Sequence, residues 1–192
     1  AIGIVGSDDK KEHVLSLGAK GVLNRKDFNC WGQLPTVNGP EFKDYMKESR
    51  KFGKAIWELT DKKDVDIVFE HPGESTFPVS VFVVKRGGMV VICAGTTGFN
   101  LTMDARFLWM RQKRVQGSHF ANLKQASAAN QLVINRRIDP GMSEVFPWED
   151  IPAAHDKMLD NKHLPGNMAV LVTSPKPGLR TVEDVLAVNG QA

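Results

Sequence analysis

AIGIVGSDDKKEHVLSLGAKGVLN, residues 1–24, reads as a strand, a helix and a second strand. Ile2, Ile4 and Val5 form a short apolar run rich in β-branched residues, which favour a pleated, buried strand. Ser7-Asp8-Asp9 follows with a capping hydroxyl and first-turn acids, a favourable arrangement at the positive end of a helix. Helix formers then run to Gly18, a residue suited to the left-handed backbone that ends a helix. Gly21 to Asn24 (GVLN) is the next strand. Two strands joined through a helix lie parallel, because only a crossover of this length brings the second strand back in the same direction. The fold class expected is therefore α/β with a parallel sheet.

Working outward, the alternation continues. Residues 26–51 carry Trp31, Gly32, Pro35, Gly39 and Pro40, which break regular structure. They are read as an inserted loop, about 29–51, with a polar helix near 41–49. FGKAIWELT (52–60) is expected to be a separate amphipathic helix with Phe52, Ile56 and Leu59 on one side. DVDIVFE (64–70) is a strand, ESTFPVSVFVVK (74–85) a helix, and MVVICAG (89–95) a core strand after the Gly87-Gly88 turn. Residues 107–120 begin as a helix and end in a short strand near Val115–Gly117, and 123–136 is a helix. Beyond it, Pro140, Pro147 and Pro152 mark a loop, then a helix from about 152 to 160. A strand is expected over 168–174 and a last helix over 181–188. The sum is an open, doubly wound parallel sheet of Rossmann type, which binds ligands at the carboxyl ends of its strands.

Composition excludes several classes. Of 192 residues, 42% are apolar and 24% charged, ordinary for a globular domain. No apolar run nears the ~18–20 residues of a membrane-spanning helix. Cys30 and Cys93 are too few for a disulfide framework and lack metal-ligand spacing, so a reduced, cytoplasmic setting is expected. There is no CxxC, HExxH or GxSxG. Net charge is +3, but residues 105–143 hold seven basic residues against one acid. This stretch is either a solvated helix face or an attractor for an anion. No nucleic-acid motif accompanies it, so neither nucleic acid nor membrane is expected as a partner.

The strand ends carry the candidate chemistry. After the first strand, Ser7, Lys10 and Lys11 offer a hydroxyl and ammonium groups where an NAD enzyme presents an acid to the ribose 2′-hydroxyl. That pattern favours the 2′-phosphate of NADP(H); the simpler alternative for Ser7 is a plain helix cap. Arg25, ending the second strand, adds a guanidinium suited to phosphate or adenine. His71-Pro72-Gly73 ends the third strand, with His71 placed to meet a ribose. Cys93, Ala94 and Gly95 end the fourth, small enough for a flat ring to approach the backbone. His119, in Gly117-Ser118-His119-Phe120-Ala121-Asn122, sits at a strand-to-helix junction.

SDDKKEHVLSLGAKGVLNRKDF (7–28), RKFGKAIWELT (50–60), DVDIVFEHPGESTFPVSVFVVKRGG (64–88), RFLWMRQKRVQGSHFANLKQA (106–126) and GNMAVLVTSP (166–175) together resemble the crotonyl-CoA carboxylase/reductase family of medium-chain dehydrogenases/reductases. FEHPG and GSHFAN are the specific stretches, and the resemblance covers essentially the whole chain. It implies that NADPH delivers hydride to an enoyl-CoA and that the resulting enolate captures CO2, giving ethylmalonyl-CoA from crotonyl-CoA. It implies that His119 helps anchor CO2, and that Arg106 and Phe107 meet the CoA nucleotide, Phe107 standing where a tyrosine is the family's residue. It further implies that residues 1–138 are a partial NADPH-binding domain, lacking the first strand and glycine-rich loop of the sheet. Residues 139–192 would return toward a GroES-like catalytic domain. Residues 1–192 alone are then expected to bind NADPH weakly and to be inactive, and the intact protein to be a homo-oligomer. The alternative is a non-carboxylating enoyl-CoA or quinone reductase of the same superfamily.

Overall fold

A computed structural model of the chain describes residues 1–172. The chain divides into two compact units, residues 1–120 and 121–192. The first begins with β1 (Ile2–Val5), a 3-10 turn at Asp8–Lys10, α1 (Lys11–Ser16) and β2 (Gly21–Asn24). β1 and β2 pair in parallel, Ile2 opposite Gly21 and Val5 opposite Asn24. Gly18 takes φ of +92°, the left-handed turn expected after the helix. Gly3 is required by close packing, since a Cβ there would lie 2.5 Å from the Val14 side chain of α1.

α2 (Phe42–Leu59) is one continuous helix of 18 residues, where two had been expected. Gly53 does not break it. Tyr45, Met46, Ser49, Phe52 and Ile56 recur every three or four residues along one buried face, and that stripe carries the helix through. A single glycine costs only about 0.5–1 kcal/mol relative to alanine in a helix interior, less than burying one or two of those side chains returns. The expected inserted loop is thus irregular only up to the start of α2.

β3 (Val65–Glu70), α3 (Phe77–Val83), β4 (Val84–Ile92), α4 (Ala105–Trp109) and β5 (Arg114–Gly117) complete the first unit. β4 starts at Val84 rather than after Gly87-Gly88. The glycines form a bulge inside the strand, with Gly87 at φ +71°, and the pairing with β3 shifts register there. β3, β4 and β5 form a parallel sheet in that order. α3 is buried on two sides. Val79 joins Phe28, Cys30, Tyr45, Met46, Phe52 and Ile56 in one core, while Phe77 and Val81 join Val84 and Val90 in a second. Burial pushes the Cys30 thiol up to about 12, so it packs as an inert small hydrophobe.

The expected single sheet is split. β1–β2 and β3–β4–β5 share no ladder. Between them runs a slot of about 1090 Å³, lined by Ile2, Ile4 and Val5 on one side and by Ile67, Val68 and Phe69 on the other. Ile67 and Phe69 are 62% and 69% exposed, an unusual state for alternate members of an apolar strand.

The second unit contains α5 (Leu123–Ile134), β6 (Met142–Pro147), α6 (Ile151–Leu159) and β7 (Asn167–Leu171). Asn122 and Gln125 close a reciprocal capping box at the start of α5. β6 replaces the expected loop and pairs in parallel with β7. Pro140 and Pro147 flank rather than interrupt β6, Pro147 being its last residue. Lys157 of α6 pairs with Glu144 of β6 and holds that carboxyl below the usual range. The helix expected over 181–188 lies outside the described residues, as do the last residues of the strand expected over 168–174. No helix among the described residues is long and apolar enough to cross a membrane.

Candidate functional site

The slot opens at the carboxyl ends of β1 and β3, where Gly6, Lys10 and Arg25 face His71, Pro72 and Thr76. Asn24, buried at the end of β2, ties the first side together. Its side-chain oxygen accepts from the Lys26 N–H at 3.0 Å, and its amide donates to Asp8 at 3.1 Å. Asp8 also pairs with Lys11 at 2.7 Å, and these contacts hold its carboxyl below the ordinary value. The Ser7 hydroxyl does the same for Asp9. Four sequence candidates therefore separate into two pairs. Lys11 and Ser7 serve neighbouring acids, whereas Lys10 and Arg25 face the slot. The Arg25 guanidinium lies so close to Gly6 that a Cβ there would be 3.6 Å from its Nε.

On the other side, the loops after β3 and β4 are knitted together. The Thr97 N–H donates to Pro72 O at 2.8 Å, the Glu74 N–H to Gly98 O at 3.3 Å, and the Ser75 N–H to the Thr97 hydroxyl at 3.0 Å. Gly73 is the point of closest approach, at φ +86° and facing Gly95 and Gly98. His71 is exposed at the slot, whereas Cys93, Ala94 and Gly95, on the loop after β4, are half-buried and are not among its lining residues. The Cys93 N–H donates to Glu70 O at 3.2 Å.

His119 follows β5. The Ser118 N–H donates to Ile92 O at 2.8 Å, so this segment leaves alongside the end of β4. The His119 ring is exposed and rests against Phe120, with centroids 3.8 Å apart.

Arg106 and Phe107 lie on α4. Buried Asp104 caps that helix through the Arg106 N–H at 3.0 Å and clamps the Arg106 guanidinium at 2.7 and 2.9 Å. The ion pair lowers the Asp104 carboxyl and raises the arginine. Phe107 packs edge-on against Phe82 and borders a cavity of about 430 Å³. Its wall brings together Arg50, Lys54, Arg86, Arg111 and Lys113 with Trp57, Phe82 and Phe107. Phe107 was a sequence candidate, and Arg111 and Lys113 belong to the basic stretch at 105–143; the others lie on α2, α3 and β4. Nothing in their local sequence distinguishes them from solvated side chains.

Lys113 is the most constrained cation there. Its Nζ donates to Val81 O and Phe82 O, each at 2.8 Å, and lies 5.3 Å from the Phe107 ring centre. Burial, helped by Arg111, lowers its pKa to about 8. Between about pH 8 and 10.5 the unfolded chain keeps a proton that the folded lysine has released, so this group adds stability as pH rises. Relative to Lys113→Met, the native chain is expected to gain on the order of 2 kcal/mol from pH 7.5 to pH 10. Urea unfolding at both values measures this, and a constant difference would refute it.

Residues 1–135 match the family described as zinc-binding dehydrogenase. The chain belongs to this zinc-binding dehydrogenase family. It is 69% identical, over all of its length, to a crotonyl-CoA carboxylase/reductase from Cereibacter sphaeroides, and spans 45% of that relative. It superposes on a solved crotonyl-CoA carboxylase/reductase with a TM-score of 0.89 and 70% identity, covering 98% of this chain and 44% of that one. A 2-octenoyl-CoA carboxylase reductase, solved with NADP and 2-octenoyl-CoA, matches with a TM-score of 0.79 and 33% identity, covering 98% and 41%. The expected Rossmann-type α/β fold and the resemblance to this group of enzymes are thus borne out. Among the described residues, no three His, Cys, Asp or Glu side chains are grouped to hold a metal ion.

Proposed function

We propose that residues 1–138 form the NADPH-binding lobe of an enoyl-CoA carboxylase/reductase, acting on crotonyl-CoA or a close homologue, and that 139–192 lead toward its catalytic domain. One observation carries the reading: Arg25 lies beside the bare backbone of Gly6 at the slot mouth, in a lining that also includes Lys10. The acid that would repel a phosphate there, Asp8, is already held by Lys11 and Asn24. An arginine beside a glycine, with a lysine in the same lining, suits a ribose 2′-phosphate better than a free hydroxyl.

NADPH, when bound, supplies a hydride to the β-carbon of the enoyl thioester. Lys10 and Arg25 take the 2′-phosphate. His71 meets the ribose, and the small residues Cys93, Ala94 and Gly95 let the ring lie against backbone. Arg106, held in one orientation by Asp104, and the cavity below Phe107 take the nucleotide end of CoA: Arg50, Lys54, Arg86 and Arg111 outweigh the one acid of the wall, Asp64, and suit its phosphates, and three aromatic rings suit its adenine. His119 holds CO2 through an ordered water without acting as a base. Copies of the protein associate through the outer edge of β5, every residue of which is exposed.

The test is Arg25→Ala in the full-length protein. Losing one charge-assisted hydrogen bond to the 2′-phosphate, about 1.5 kcal/mol, raises KM for NADPH about tenfold and leaves KM for NADH within about twofold. Equal changes for both cofactors would sink the assignment.

A further inference from the structure

Glu70 is a carboxylate buried to 2% exposure at the last position of β3. Among the described residues no lysine or arginine pairs with it. Its side chain instead accepts from three neutral donors. Oε1 takes the Gly73 N–H at 3.0 Å and the Thr76 hydroxyl at 2.5 Å, and Oε2 takes the buried Ser80 hydroxyl. Its main-chain oxygen accepts the Cys93 N–H at 3.2 Å. One residue therefore anchors both loops, the one at the slot mouth through its side chain and the one after β4 through its backbone.

An ordinary core position would be filled by an apolar residue, because a buried carboxylate is expensive unless its partners are exceptional. The three donors explain how it is tolerated, and their positions show what it accomplishes. Gly73 and Thr76 bracket the turn that begins at His71, and Ser80 is in α3, the helix that follows. The carboxylate fixes the path from strand to helix at the point where the chain doubles back. Gly73 is also where this loop meets Gly95 and Gly98. A shift of the first loop is therefore transmitted to the second.

We propose that Glu70 is a positioning residue for the cofactor: it touches no ligand itself, but sets the loop that presents His71 at the slot and, through Gly73, the neighbouring loop that carries Cys93–Gly95. This inference rests on the NADPH reading above. Glutamine tests it, since it keeps the size but has one acceptor oxygen and an amide that donates. It can keep Gly73 and Thr76 only by turning its amide toward Ser80, which must then reverse its hydroxyl.

Glu70→Gln in the full-length protein is expected to raise KM for NADPH about fivefold, with KM for the enoyl-CoA and kcat within about twofold. Thr76→Val, which removes one donor and keeps the side-chain shape, is expected to raise it about threefold and serves if Glu70→Gln does not fold. A purely structural role gives the opposite pattern, a lower melting temperature and less active protein with an unchanged KM for NADPH. That pattern in either folded variant overturns the proposal. If Arg25→Ala discriminates between NADPH and NADH while the Glu70 and Thr76 variants leave KM unchanged, the cofactor reading stands and this inference alone fails.

Discussion

Gly73→Ala is expected to weaken NADPH binding on the order of a hundredfold, about 2.7 kcal/mol. Two costs combine at this position. The backbone sits at φ +86°, a region that charges an L-residue roughly 1 kcal/mol. A Cβ would also lie 2.9 Å from Gly95 Cα and 2.9 Å from Gly98 O. Both obstacles are main-chain atoms, so no flexible side chain can swing away. The two loops must separate, at the expense of the Thr97–Pro72, Glu74–Gly98 and Ser75–Thr97 hydrogen bonds that join them. Stability falls as well, by roughly 2–4 kcal/mol on the scale of overpacked cores and strained backbone. Gly53→Ala is the internal contrast. Its added methyl would meet Phe82 and Val83 at 3.9 Å, an ordinary contact, inside a helix. It should stabilise the chain by about 0.5–1 kcal/mol and leave NADPH binding unchanged. Calorimetric titration and thermal melting measure both variants. NADPH affinity within twofold of native for Gly73→Ala would show that the loop contact does not shape the cofactor site.

What could be read from the sequence follows the range of the interactions involved. The β1–α1–β2 unit was legible because each signal is local: β-branched strand residues, acids behind Ser7, and Gly18 at the turn. α2 was misjudged at Gly53 because a glycine is visible locally, whereas the stripe from Tyr45 to Ile56 gains its energy from Phe28, Cys30 and Val79 elsewhere in the chain. β6 was missed because Pro140 and Pro147 look like loop punctuation until β7 is known to pair beside them. The site shows the same division. Candidates that follow strands can be named by position alone, because a parallel sheet places chemistry at its carboxyl ends. Residues that meet across elements cannot. Arg50, Lys54 and Arg86 become one cationic wall only when α2, α3 and β4 pack together. Glu70 was passed over for the same reason, since a glutamate ending a strand ordinarily faces water. Its burial depends on Ser80, ten residues further on.

His119→Ala is expected to change which product forms rather than how fast cofactor is consumed. In the proposed reaction, once hydride has reached the β-carbon, the α-carbon of the enolate can attack either CO2 or a proton from solvent. Carboxylation wins only if CO2 is already held beside the α-carbon and water is kept out. CO2 is uncharged and offers only weak acceptor oxygens, so it needs a donor at fixed distance. An imidazole N–H acting through one ordered water is a suitable donor. His119 follows the end of β5, on a segment tied to β4 by the Ser118–Ile92 hydrogen bond, so its backbone is placed although its ring is exposed. Removing the ring should cost the held CO2 about 2 kcal/mol of positioning and lower the ratio of carboxylated to merely reduced acyl-CoA roughly thirtyfold. NADPH oxidation should stay within about threefold of native, because hydride transfer precedes the branch. Product analysis in saturating bicarbonate, on the full-length protein, separates the outcomes. An unchanged ratio removes His119 from the CO2 site. If the native protein yields only reduced acyl-CoA, the non-carboxylating reductase becomes the better reading, and the anion-binding roles of Arg25 and the cavity under Phe107 are unaffected. The cofactor assignment and the CO2 assignment thus rest on different residues at different strand ends, and the second can fail while the first stands.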